Sequence, residues 1–240
     1  MVEQRLQVRP KAPPRRLDAD TLHYLGEFLT TRAERGHISY EEFLAWADED
    51  TLAEWVNGEI VMTSPASSRH QAITKFLIKT LDMYIQPRNL GLLIPAPFQM
   101  KLVHGREPDL LFIKHAHLDR LKPTYLDGPA DLVIEIISPE SIGRDRGDKF
   151  YEYAAGGVPE YWLIDPVAQR AEFYRLHKGY YQHNFSGEAG RYEALTLPGF
   201  WLNIEWLWQD PLPSPFRILA DIVGMDTDIV EAFERALGGK

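Results

Sequence analysis

Apolar positions in the first third of the chain recur at three- and four-residue intervals. Between residues 17 and 35, Leu22, Leu25, Phe28 and Leu29 fall on one helical stripe, and a helix is predicted there. Ser39 and Glu42 stand at the spacing of a capping box ahead of the short helical stretch YEEFLAWA. The pattern then changes. In TLAEWVNGEIVMTSP, Asn57-Gly58 separates two strand-like runs, and this dipeptide tolerates the positive φ values of a two-residue hairpin turn. Helical spacing returns from Ser67 to Ile85, where Ile73, Phe76, Leu77, Leu81 and Tyr84 form one stripe and Pro87 follows. Strands are predicted over 92–103, 109–113 and 132–138. A helix is predicted in RDRGDKFYEYAAGG, closed by Gly156-Gly157 and Pro159. The runs 161–165, 171–176 and 180–184 read as a strand meander, and the chain from Pro215 onward reads as helical. This order predicts one α/β or α+β domain, a mixed sheet flanked by helices. Its expected bounds are 37–213, with an N-terminal arm and helix over 1–36 and a helical tail over 214–240.

Composition narrows the setting. The 240 residues are 45% hydrophobic and include six Trp, enough for a sizeable core. There is no cysteine, which excludes disulfide-linked partners and thiolate zinc sites and suits a reducing compartment. No apolar run has signal-peptide or membrane-span length, so the expectation is a cytoplasmic protein without a membrane partner. The net charge of −9 opposes general attraction to polyanions. A nucleic-acid partner therefore requires a local basic surface or bound cations. Lys101, Arg106, Arg144, Arg146 and the basic stretch MVEQRLQVRPKAPPRR are the candidates.

The chemistry begins with an acid in an apolar strand, DLVIEIISPE (131–140). Alternation places Val133, Glu135 and Ile137 on one face and Leu132, Ile134 and Ile136 on the other, so both faces are expected to be buried. An ionised carboxylate in such a place needs a cation or a hydrogen-bond network. Asp131, at the strand entry, is not the expected partner. Asp109, which precedes Leu-Leu-Phe-Ile, can meet Glu135 if the two strands pair. Converging carboxylates are suited to a hard, oxygen-preferring cation such as Mg²⁺. Asp145, Lys149 and Tyr153 share a face of the following helix at i, i+4 and i+8, from which the lysine can reach the carboxylates. An Asp, a Glu, a Lys and a metal can activate water and offset phosphoryl charge.

These residues resemble the PD-(D/E)XK nuclease signature with a migrated lysine. EWVNGEIVMTSP, a helix opening with His70, EPDLLFI, DLVIEIISPES, D-x-x-x-K-x-x-x-Y and GVPEYWLIDP occur in that order. The ordered set is similar to the Uma-type family of restriction-endonuclease-like proteins from about Ser39 to Asp210. The resemblance implies a restriction-endonuclease-like core, with Asp109 and Glu135 as Mg²⁺ (or Mn²⁺) ligands and Lys149 as the catalytic lysine. One departure stands out: position 137, where the general pattern carries its lysine, is Ile137. Glu54 is the favoured additional acid over Glu59, and His70, Gln99, Asp145 and Tyr153 are further candidates for the site.

Structural readings compete at several of these positions. Glu135 with Lys149 can be a buried ion pair, Tyr153 a packing residue, and Asp145 a partner that only positions Lys149. His115 and His117 read as a short exposed loop, and the aromatics of 161–181 as sheet core and edge. The functional expectation is a Mg²⁺-dependent endonuclease that hydrolyses DNA phosphodiesters as a homodimer, with the hairpin or the terminal helices as candidate interfaces. The alternatives are an inactive nuclease-fold binding or assembly module, and a metal-dependent hydrolase of another phosphoester.

Overall fold

The computed structural model describes residues 37–47, 53–62 and 66–238, and the predicted arm and helix of 1–36 lie outside these. The capping box forms as expected. The Ser39 N–H donates to the Glu42 carboxylate at 2.8 Å, and the Glu42 N–H donates to the Ser39 hydroxyl at 3.1 Å. They open helix α1 (Tyr40–Trp46). Strands β1 (Ala53–Val56) and β2 (Glu59–Met62) pair across Asn57 and Gly58, with φ of 51° and 81°. Both values lie in the left-handed region that this turn requires. Helix α2 (Ser68–Ile85) begins where the Ser67 hydroxyl accepts a hydrogen bond from the His70 N–H.

The predicted strand over 92–103 is two strands. β3 (Gly91–Pro95) and β4 (Gln99–Lys101) belong to different sheets. Pro95 and Pro97 explain the break, because neither can donate to a ladder. β5 (Gly105–Arg106) and β7 (Tyr125–Asp127) are too short to show a pattern in the chain. β6 (Leu110–Lys114) and β8 (Leu132–Ile136) match their predicted positions closely. The predicted helix after Pro139 opens with a π-helical turn, Arg144–Asp148, before regular α3 (Lys149–Gly156). Gly157 closes it in the left-handed conformation at φ 90°. β9 (Glu160–Asp165), β10 (Arg170–His177) and β11 (Tyr180–Gly187) form the meander. A small pair, β12 (Arg191–Glu193) and β13 (Trp201–Asn203), follows. The tail is helical, as α4 (Pro215–Val223) and α5 (Thr227–Gly238).

The central mixed sheet has the order β11-β10-β9-β8-β6-β3, with β8 and β9 parallel and the other pairs antiparallel. A second mixed sheet, β2-β1-β5-β4-β7, carries the hairpin. Strand β8 is buried along its whole length between β6 and β9. Its two faces serve two cores, as alternation predicts. Leu132, Ile134 and Ile136 join Ile73, Leu77 and Leu81 of α2, while Val133 and Ile137 join Leu111, Tyr153, Tyr161 and Leu163. Each large buried apolar side chain contributes about 1.5–3 kcal/mol. The strand that carries Glu135 is therefore among the best-anchored backbone in the molecule.

Candidate active site

Antiparallel pairing of β6 with β8 sets Leu110 opposite Ile134. Asp109, one residue before β6, consequently arrives beside Glu135. The Ile136 N–H donates to Asp109 Oδ2 at 2.7 Å, and the Asp109 N–H approaches Glu135 Oε2 at 3.4 Å. His70, in the first turn of α2, places Nε2 3.2 Å from the same Asp109 Oδ2. Burial disfavours the His70 imidazolium, but the bond to Asp109 outweighs this and raises its pKa.

Lys149 enters from α3. Its Nζ lies 3.0 Å from Glu135 Oε1, 3.0 Å from Glu54 Oε1 and 3.5 Å from Asp145 Oδ1. Burial favours the neutral amine, but these carboxylates together raise the lysine well above its ordinary value. These contacts favour the ammonium form. The Tyr153 hydroxyl donates to Glu135 Oε1 at 2.9 Å from beneath the site. Glu135 is pushed well up by burial, with Lys149 opposing and the neighbouring acids reinforcing the shift. Asp145 is raised by burial too, in spite of Lys149. Burial also lifts Glu54, yet Lys149 and Arg106 outweigh it and hold this carboxyl low.

The hairpin turn separates the two early glutamates as expected. Glu54 is buried at 1% exposure and Glu59 is exposed. Arg106 clamps Glu54 Oε2 at 3.0 Å and holds Glu152 with two bonds of 2.7 Å. Several of the basic side chains named from the sequence are engaged by acids of the same chain. Arg106 is buried and spent on Glu54, Arg146 is spent on Glu172 and Asp165, and Lys101 faces Glu41. Of Lys101, Arg106, Arg144 and Arg146, only Arg144 lines the cleft among the described residues, and the basic N-terminal stretch lies outside them.

That cleft has a volume of about 330 Å³, and its walls include Glu54, His70, Glu107, Asp109, Glu135, Arg144, Asp145 and Lys149. Gln99 does not line it; the Gln99 amide donates to Glu107 Oε2 at 3.0 Å and to the Ala53 carbonyl at 2.9 Å. Glu107 itself is absent from the residues singled out in the sequence. Burial, then the charge of Glu54, pushes its pKa up to about 7. Its signal was the spacing in REPDLL, where Glu107 and Asp109 stand two apart in extended chain and share a face. Asp131 has a separate task as a buried acceptor for the Lys114 N–H at 2.8 Å and for His117 at 2.9 Å. His117 is thus tied to the strand entry, and His115 bonds Asn89.

Six acidic side chains, Glu54, Glu107, Asp109, Glu135, Glu140 and Asp145, border the cleft against Lys149, Arg144 and His70, and carboxylate oxygens are the donors that hard divalent cations prefer. The upward shifts of Glu107, Glu135 and Asp145 come from burial first and from neighbouring acids second, and a nearby cation would oppose both. Among the described residues, no three acidic or histidine side chains close into a cage. Mg²⁺ characteristically takes one or two carboxylates and completes its shell with water and phosphate oxygens. Asp109 and Glu135 satisfy that smaller requirement.

A solved structure shares this architecture, and a further protein is similar in sequence. A crystal structure from Anabaena variabilis ATCC 29413, described as a putative nuclease belonging to DUF820, superposes with a TM-score of 0.63 at 19% identity, covering 71% of this chain and 97% of that one. The uncharacterized protein sll1609 of Synechocystis sp. (strain ATCC 27184 / PCC 6803 / Kazusa) is 24% identical over 149 residues, 58% of this chain and 80% of that protein. No helix among the described residues is long and apolar enough to cross a membrane. The Uma2 family, described as "Putative restriction endonuclease", matches residues 40–205, a span that holds every acid of the cleft together with Lys149, and the chain belongs to it.

Proposed function

We propose that the protein is a metal-dependent endonuclease that hydrolyses DNA phosphodiester bonds. The observation that carries this reading is Lys149, a buried ammonium held 3.0 Å from Glu135 at the wall of a cleft that Asp109 also lines. Asp109 and Glu135 would hold Mg²⁺ or Mn²⁺, which when bound lowers the pKa of water and offsets charge on a phosphoryl oxygen. The chain's own residues prepare the site. The Ile136 N–H and His70 fix Asp109 through one oxygen, and Tyr153 and Lys149 fix Glu135 through one oxygen. Carboxylates held this way need little reorganisation when a substrate arrives. Lys149, favoured as an ammonium, orients the attacking water and faces charge that develops during the displacement. Two such sites in a homodimer would meet both strands of a duplex at once, so the active form is proposed as a homodimer, measurable by sedimentation.

The test is plasmid and oligonucleotide cleavage with Mg²⁺ or Mn²⁺. Cleavage is expected for the unaltered protein and expected to disappear in Asp109→Asn and Lys149→Ala. Cleavage without a divalent ion, or cleavage persisting in either variant, refutes the mechanism. One observation favours a second reading, a binding module that keeps the nuclease fold: Lys149 is engaged by three carboxylates. Calorimetry separates the two, since a binding module would show no saturable Mn²⁺ uptake dependent on Asp109 and Glu135.

A further inference from the structure

The cations around the site are nearly all committed. Lys149 faces Glu135, Glu54 and Asp145; Arg106 lies between Glu54 and Glu152; Arg146 reaches Glu172. Arg144 differs. It lines the cleft, its Nε is buried with no hydrogen-bond partner, and it has no ion pair among the described residues. A buried donor left unpaired is costly unless something else meets it.

Its place in the fold is also unusual. Arg144 opens the π-helical turn Arg144–Asp148 that precedes α3. Such turns are rare, persist at functional sites more often than elsewhere, and redirect the side chains they carry. Here the turn sets Arg144 and Asp145 on the cleft wall one helical turn ahead of Lys149.

An anion entering this cleft meets Glu107, Asp109, Glu135 and Asp145. Lys149 is already within 3.5 Å of three carboxyl groups, so part of its charge is spent before an anion arrives. We infer that Arg144 is the substrate-binding group of the cleft, its guanidinium donating to the non-bridging oxygens of a phosphodiester. The planar fork of Arg matches two phosphoryl oxygens, which a lysine ammonium cannot do. The identity of the anion rests on the nuclease reading; the availability of Arg144 does not.

The test measures binding rather than turnover. A labelled DNA duplex is titrated with the unaltered protein, Arg144→Gln and Arg144→Lys by fluorescence anisotropy, in Ca²⁺, with inorganic phosphate as competitor. Mn²⁺ calorimetry and thermal denaturation run alongside. Arg144→Gln is expected to weaken duplex binding by about tenfold or more. Arg144→Lys should fall between, with Mn²⁺ binding unchanged and neither variant less stable than the unaltered protein. Equal duplex affinity in Arg144→Gln overturns the inference. Loss of Mn²⁺ binding together with duplex binding also overturns it, because Arg144 would then act through the carboxylates. So does an unaltered protein that binds neither duplex nor phosphate. If the unaltered protein binds DNA through Arg144 yet never cleaves it, the inference stands and the nuclease activity falls.

Discussion

Replacing Lys149 with Met keeps the side chain's length and removes the ammonium that meets Glu135 and Glu54 at 3.0 Å each. Deleting one partner of a buried pair typically costs about 3–5 kcal/mol, because the surviving charge loses its counterion. Here the survivors can take up protons. Burial already drives Glu135 upward, and Lys149 is the principal group opposing it at both Glu135 and Glu54. Without the lysine, Glu135 moves further above the value of about 4.3 for an unfolded glutamate, and Glu54, now held low by Lys149 and Arg106, rises from below it. A carboxyl with a raised folded pKa favours folding at low pH and loses that advantage as pH climbs from the unfolded to the folded value. The deficit of Lys149→Met is therefore expected to be about 3–5 kcal/mol at pH 8 and to shrink to about half near pH 5. Urea denaturation of both proteins at the two pH values, in chelator, measures it. Adding Glu135→Gln removes the stranded charge as well, and the double variant should recover about half of the loss at pH 8. A deficit below about 1 kcal/mol at both pH values, or a double variant no more stable than the single, refutes the charge balance described for this site.

Three further outcomes follow from individual contacts. Glu107, pushed up to about 7 by burial and Glu54, destabilises the fold progressively as pH rises from its ordinary 4.5. Glu107→Gln should therefore stabilise the metal-free protein by about 1–2 kcal/mol at pH 8, after discounting for partial exposure, and by little at pH 4.5, as read by denaturation at each pH. Glu160 is fully buried and accepts from Trp162, Tyr192, Leu195 and twice from Thr196. Glu160→Gln sets an amide donor against those donors and should cost about 2–4 kcal/mol, with hydrogen exchange rising around residues 191–197. Gly58 has φ 81° and lies against His37, so Gly58→Ala should lower the melting temperature by an amount worth about 1–2 kcal/mol.

What the chain reveals on its own depends on how local the cause is. The hairpin is legible because Asn57-Gly58 is a local demand on φ. The capping box is legible because Ser39 and Glu42 satisfy each other within one turn. The two faces of 132–137 are legible because strand period is independent of context. Asp109, Glu135 and Lys149 could be grouped because each sits at a definable point of a strong element. The partners of the arginines are not local. Arg106 meets Glu54 across 52 positions and Glu152 across 46, and nothing in the residue types distinguishes it from Arg144. Only the packed structure separates the arginine that is consumed from the one left for a ligand. The spacing in EPDLLFI places Glu107 on the face of Asp109, but its raised pKa comes from burial and from Glu54, and neither of these is local.

The displaced lysine has a physical explanation in the two cores. Ile137 is 2% exposed and sits in the cluster with Val133, Leu111 and Tyr161, on the same side of β8 as Glu135. A lysine there would place its whole stem and charge among apolar side chains, with desolvation opposing it. Supplying the ammonium from α3 leaves that cluster apolar and lets the strand stay rigid around Glu135. It also brings Asp145 within 3.5 Å of the lysine along the same face and Glu54 within 3.0 Å from the second sheet. The lysine thus ties α3, β8 and β1 together at one point. Part of its charge is then spent within the protein itself, and a phosphodiester entering the cleft would gain from a cationic contact elsewhere on the wall. Arg144, one turn earlier and without an ion pair among the described residues, occupies that position.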